Sequence, residues 1–128
     1  MGQSRFGRKT RVLVVDDNAD LRLTTRLLLE SEGYVVETAA NGAEALRIQR
    51  ERPTHILITD LFMPEVDGLE TVQSFRAAYP AMPVIVMSGG SRRGNDQADH
   101  LSVARELGAV TLRKPVAPAD LIEAIRNV

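Results

Sequence analysis

The sequence predicts an α/β protein, a five-stranded parallel sheet between helices in a three-layer sandwich, and three observations predict it. Five short runs rich in β-branched residues alternate with five amphipathic stretches, as in consecutive βα units. The runs are almost continuously apolar, the pattern of strands covered on both faces. Glycines and prolines fall at the element boundaries, and 128 residues suit one domain with a single core.

The first run, RVLVV (Arg11 to Val15), precedes a helix predicted over Ala19 to Ser31, with Leu21, Leu28 and neighbouring leucines as its core stripe and Gly33 as its stop. Tyr34 to Thr38 is the second strand. The next helix opens at Asn41, with Glu44 three residues on as in a capping box, and stops at Pro53. The third strand, His55 to Thr59, leads through DLFMPEVDG into a helix over Gly68 to Ala78, ended by Pro80. Pro83 to Met87 is the fourth strand, followed by the glycine-rich SGGSRRGNDQ and a helix near Ala98 to Leu107, stopped by Gly108. The fifth strand, VTLR, meets Lys114 and Pro115, and Pro118 opens a last helix over Ala119 to Asn127, where Ala117 is a poor cap. Residues 1–10, MGQSRFGRKT, read as a flexible basic tail before a domain spanning 11–128.

Sixteen basic and seventeen acidic residues leave a net charge of -1, so direct nucleic-acid or membrane binding is not expected. The absence of cysteine removes disulfides and thiolate chemistry and agrees with a cytoplasmic location. No run approaches the length of a membrane span.

Ligands in parallel α/β sheets bind beyond the carboxyl ends of the strands. The residues there are Asp16 and Asp17 after the first strand, Asp60 after the third, Ser88 after the fourth and Lys114 after the fifth. Each acid alone is an ordinary turn residue, but together they form a constellation. Carboxylates about 4 Å apart repel by about 4 kcal/mol per pair at an effective dielectric of about 20, so the cluster calls for a counter-charge. A hard divalent cation such as Mg2+ supplies one, Lys114 a second, and Ser88 a hydroxyl donor. That combination suits transfer of a phosphoryl group to a carboxylate, which depends on positioning and charge neutralisation.

With VVDDN, DLFMPEVDG, VMSGG and LRKP in this order, the chain from Arg11 onward resembles the receiver domain of two-component response regulators. The resemblance implies a flavodoxin-like topology with strand order 2-1-3-4-5 and five helices. It implies that Asp60 is the phosphoacceptor, that Asp17 and Asp60 ligate Mg2+ with Asp16 acting largely through water, and that the Phe62 carbonyl completes the shell. Ser88 and Lys114 would bind phosphoryl oxygens, while Met63-Pro64 and Asp67-Gly68 shape the turn. It further implies a histidine kinase or histidine phosphotransfer protein as donor, and no enzymatic activity beyond self-catalysed phosphotransfer and autodephosphorylation. The downstream target and a homodimer stay open.

Three features depart from the family pattern. Thr111 occupies the position three before the lysine where an aromatic is usual, the segment after Ser88 is longer, with Gly89, Gly90, Arg92, Arg93 and Gly94, and Phe62 is bulky. His55 and His100 read as packing or surface residues, and Arg92-Arg93 as loop-solvating. Three other readings are weighed. A flavin carrier would place its phosphate against Asp16 and Asp17; a haloacid-dehalogenase-like phosphatase needs an aspartate where Phe62 stands; and a degenerate receiver serving only as an interaction module is opposed by the complete acid, hydroxyl and lysine set. No output domain follows the fifth helix in this sequence, which fits either a stand-alone regulator or a receiver within a larger protein.

Overall fold

The computed structural model describes residues 9–61, 68–89 and 101–128. Its strands are β1 (Arg11–Val15), β2 (Val35–Ala39), β3 (Ile56–Asp60), β4 (Val84–Ser88) and β5 (Val110–Arg113). They form one parallel sheet in the order β2-β1-β3-β4-β5, as expected. The helices are α1 (Ala19–Ser31), α2 (Gly42–Glu51), α3 (Gly68–Ala78), α4 (described over 101–106) and α5 (Pro118–Asn127).

Side chains alternate across the sheet because successive strand residues point to opposite faces. Leu13, Val15, Leu57, Val84 and Val86 pack with α2, α3 and α4, where Phe75 is the largest fully buried side chain. Val12, Val14, Ile56, Ile58 and Ile85 face α1 and α5, meeting Leu29, Leu121, Ile122 and Ile125. Burying a side chain of this size stabilises the fold by about 1.5–3 kcal/mol, so the two layers fix which edge of the sheet carries the polar residues.

Helix boundaries follow local signals, those at Gly33, Asn41 and Ala117 as expected. Asn18 caps α1, accepting from the N–H groups of Asp20 and Leu21, and Gly33 ends it at φ 94°, a left-handed conformation that favours glycine. At α2, Asn41 accepts the Glu44 N–H, while Glu44 Oε1 reaches back to the N–H of Ala40, one residue before the cap. Ala117 makes no side-chain cap at α5.

Two expectations are corrected. β2, β3 and β4 each lie one residue further along than expected; in β3 and β4 the backbone ladder continues through the polar residue at the strand end, and in β2 it runs on to Ala39. Leu61 still donates to Met87 at 2.8 Å, so Asp60 lies within β3 rather than after it. The core stripe of α1 is also narrower. Only Leu29 is fully buried, and Leu21, Leu23 and Leu27 are 46%, 52% and 56% exposed. Thr10, within the expected tail, is buried, and its carbonyl accepts the Val35 N–H. Residues 1–8 of that tail, the Phe62 carbonyl, Met63, Pro64 and Asp67 of the turn, and the segment with Gly90, Arg92, Arg93, Gly94 and His100 lie outside the described residues.

Candidate functional site

The carboxyl ends of β1, β3, β4 and β5 bring the predicted side chains to one edge of the sheet. Asp60 ends β3 opposite Met87, and the ladder bond from Leu61 holds its backbone on the far side as well. Its side chain is thus aimed by the pleat rather than by a loop. Gly68 closes against it: the Gly68 N–H donates to the Leu61 carbonyl at 2.8 Å. A Cβ on Gly68 would collide with the Asp60 carbonyl oxygen and come within 2.5 Å of that of Leu61.

Asp16 follows β1 directly and is held on three sides. Its N–H donates to the Ala39 carbonyl at 3.1 Å, its Oδ1 accepts the Asn18 N–H at 2.9 Å, and its carbonyl accepts from Arg22 Nη1 at 2.6 Å. Burial pushes the Asp16 carboxyl above its ordinary value; the Asn18 N–H and Lys114 oppose that shift, and the charges of Asp60 and Asp17 add to it. Asp17 is exposed beside it. One carboxylate oxygen from each of Asp16, Asp17 and Asp60 lies within 4.8 Å of the others. At an effective dielectric of about 20, the buried pair Asp16 and Asp60 repels by roughly 3 kcal/mol when both are ionised.

Lys114 relieves part of that repulsion. Its Nζ lies 2.8 Å from Asp60 Oδ2 and 4.0 Å from Asp16 Oδ2. The following peptide bond to Pro115 is cis. The Lys114 backbone is fixed by its N–H, which donates to the Ser88 carbonyl at 2.7 Å, and its stem crosses Gly89, where a Cβ would sit 3.1 Å from Lys114 Cδ. Ser88 itself is buried at the end of β4, on the same edge. Thr111, on β5, is half-buried and accepts from Arg105 Nε at 3.3 Å.

The three carboxylates offer oxygen donors only, with one exposed member open to solvent, which fits a hard divalent cation that retains several waters. From Asp60 and Lys114 an open, largely apolar groove of about 690 Å³ runs between Leu21 and Leu28 of α1 and Val116 and Leu121 near α5. Among the described residues, one member of this neighbourhood escapes sequence reasoning, Arg22. Arg22 could have been found from its spacing: it is one turn beyond the Asn18 cap, and helical side chains lean toward the N-terminus, back over the Asp16–Asp17 turn.

Comparison with known proteins shows the family and the fold. Residues 12–126 match the family model described as the response regulator receiver domain. The chain is 36% identical over 124 residues to a protein-glutamate methylesterase/protein-glutamine glutaminase of Halalkalibacterium halodurans, covering 94% of this chain but only 35% of that protein. It is 34% identical over 118 residues to an uncharacterized 14.6 kDa protein of Leptolyngbya boryana, covering 91% of this chain and 87% of that one. Among solved structures, a response regulator receiver domain protein from Clostridium thermocellum superposes with a TM-score of 0.83 at 34% identity, covering 92% of each chain.

Proposed function

The chain belongs to the response regulator receiver domain family, and from that premise we propose that Asp60 accepts a phosphoryl group from a histidine kinase or histidine phosphotransfer protein in a Mg2+-dependent reaction. The observation that carries this reading is the 2.8 Å contact between Lys114 Nζ and Asp60 Oδ2 beside two further carboxylates. A lone surface ion pair needs no such acidic company, whereas an incoming phosphoryl group needs a nucleophilic carboxylate and flanking positive charge.

Asp16, Asp17 and Asp60, with the Phe62 carbonyl, would hold Mg2+, which when bound offsets the carboxylate charge and the charge on the transferring oxygens. An Asp60 carboxylate oxygen attacks phosphorus as the bond to the donor nitrogen breaks, and the electron pair leaves with the imidazole. Lys114 then exchanges its Asp60 contact for a phosphoryl oxygen. Ser88 offers its hydroxyl to another. Because Lys114 is bonded through its backbone to Ser88, both respond together, and the surface formed by β4, α4 and β5 carries the response. At Thr111, hydrogen bonding to Arg105 takes the place of an aromatic side chain.

Intact-mass spectrometry after incubation with acetyl phosphate and Mg2+ tests the reading. One added phosphoryl group is expected, lost in Asp60→Asn and in EDTA. Labelling of Asp60→Asn at the wild-type level would refute the acceptor assignment. No labelling by acetyl phosphate or by a phosphohistidine donor would favour an interaction module independent of phosphorylation.

A further inference from the structure

We infer that Arg22 is a positioning residue that sets the direction of the Asp17 carboxylate, and through it the affinity of the acidic cluster for a divalent cation. The inference rests on the metal-site reading above. Among the three acids, Asp16 and Asp60 are buried and held by backbone bonds, whereas Asp17 is exposed, and its side chain is only as well placed as the backbone that carries it. That backbone begins at the Asp16–Asp17 peptide. A peptide unit is planar, so fixing the Asp16 carbonyl oxygen also fixes the Asp17 nitrogen and the axis about which Asp17 turns. Arg22 Nη1 holds that oxygen at 2.6 Å, while the Asp16 N–H and Oδ1 are held from the other side by Ala39 and Asn18.

The placement of Arg22 also needs a local reason. It lies in the first turns of α1, four residues beyond the Asn18 cap, where a cation opposes the helix dipole. Its side chain is half-buried, bent back across the helix start instead of extending into water. The bond to the Asp16 carbonyl supplies the compensating attraction.

The test measures Mn2+ binding to the whole chain from the electron paramagnetic resonance signal of the free ion, for wild type, Asp17→Asn, Arg22→Met and Arg22→Lys. Arg22→Met is expected to weaken binding by about tenfold, the loss typical for a partner that orients a metal ligand. Its urea midpoint in EDTA should stay close to wild type, and Arg22→Lys, which keeps a donor on a long stem, should recover much of the affinity. Arg22→Gln takes the place of Arg22→Met if the latter does not fold. Equal Mn2+ affinity in wild type and Arg22→Met would overturn the inference while leaving the metal site intact. Wild-type binding that does not depend on Asp17 would overturn both.

Discussion

A side chain at position 68 would drive its Cβ into the carbonyl oxygen of Asp60, and the proposed acceptor could avoid the collision only by moving. Gly68 is buried and its N–H is engaged by Leu61, so the start of α3 has little room to move instead. Gly68→Ala is therefore expected to cost about 3 kcal/mol in urea unfolding. It should also slow labelling by acetyl phosphate by roughly 100-fold, the scale of effect when a reacting group is displaced by about an ångström. A variant with wild-type stability and rate would show that the close approach of these backbones is dispensable. Residues of this kind differ in how readable they are. Asp16, Asp17, Asp60 and Lys114 were legible because their chemistry lies in their identity and their position follows from the strand ends. Arg22 was harder to read, because its partner is a backbone carbonyl, which every residue has, and only its spacing from Asn18 marks it.

At the scale of elements, helix ends were legible where a side chain or a glycine makes the boundary: Asn41 opens α2 and Gly33 closes α1 as expected. Strand ends were less so. Asp60 and Ser88 look like loop residues by type, yet the ladder carries both within their strands, since a parallel pair needs only backbone groups. The leucines of α1 misled for a related reason: their spacing announces an apolar face, but three are largely exposed, and Leu21 and Leu28 line the groove beside Asp60. One long-range staple was also invisible. Arg76 near the end of α3 donates to the carbonyls of Leu107, Pro80 and Met82 at 2.8, 2.7 and 2.8 Å, tying the end of α4 to the entry of β4. A guanidinium fork serves three acceptors where an ammonium serves fewer with less fixed geometry. Arg76→Met should lower stability by about 2 kcal/mol in urea unfolding, and Arg76→Lys should restore only part of it. Amide exchange at Gly108 and Ala109, just past α4, should quicken in both. Unchanged exchange there would mean that α4 is anchored by its packing alone.

Across the whole molecule the sheet has two chemically different ends, and they should answer differently to acid. The carboxyl end gathers Asp16, Asp17, Asp60 and Lys114. At the amino end, β1 and the start of β3 are joined by the Arg11 N–H donating to His55 Nδ1 at 2.9 Å and the His55 N–H donating to the Arg11 carbonyl at 2.8 Å. The first bond requires an unprotonated Nδ1. Burial, and then the Arg11 charge, hold His55 below its ordinary value of 6.5, so the unfolded chain takes up this proton before the folded one. The contribution is complete above the unfolded value and is lost as pH falls from there toward the folded value, because protonation favours the unfolded state. The urea midpoint should accordingly decline as pH is lowered from about 7.5 to about 5.5, with a slope from this group of at most ~1.4 kcal/mol per pH unit. His55→Gln, whose side-chain oxygen can still accept from Arg11, should remove that slope, whereas His100→Gln, altering the chain's other histidine, should leave it in place. The same decline in His55→Gln as in wild type would locate the acid sensitivity elsewhere. Its disappearance would show that the end of the sheet remote from the acidic cluster sets the protein's tolerance of mild acid.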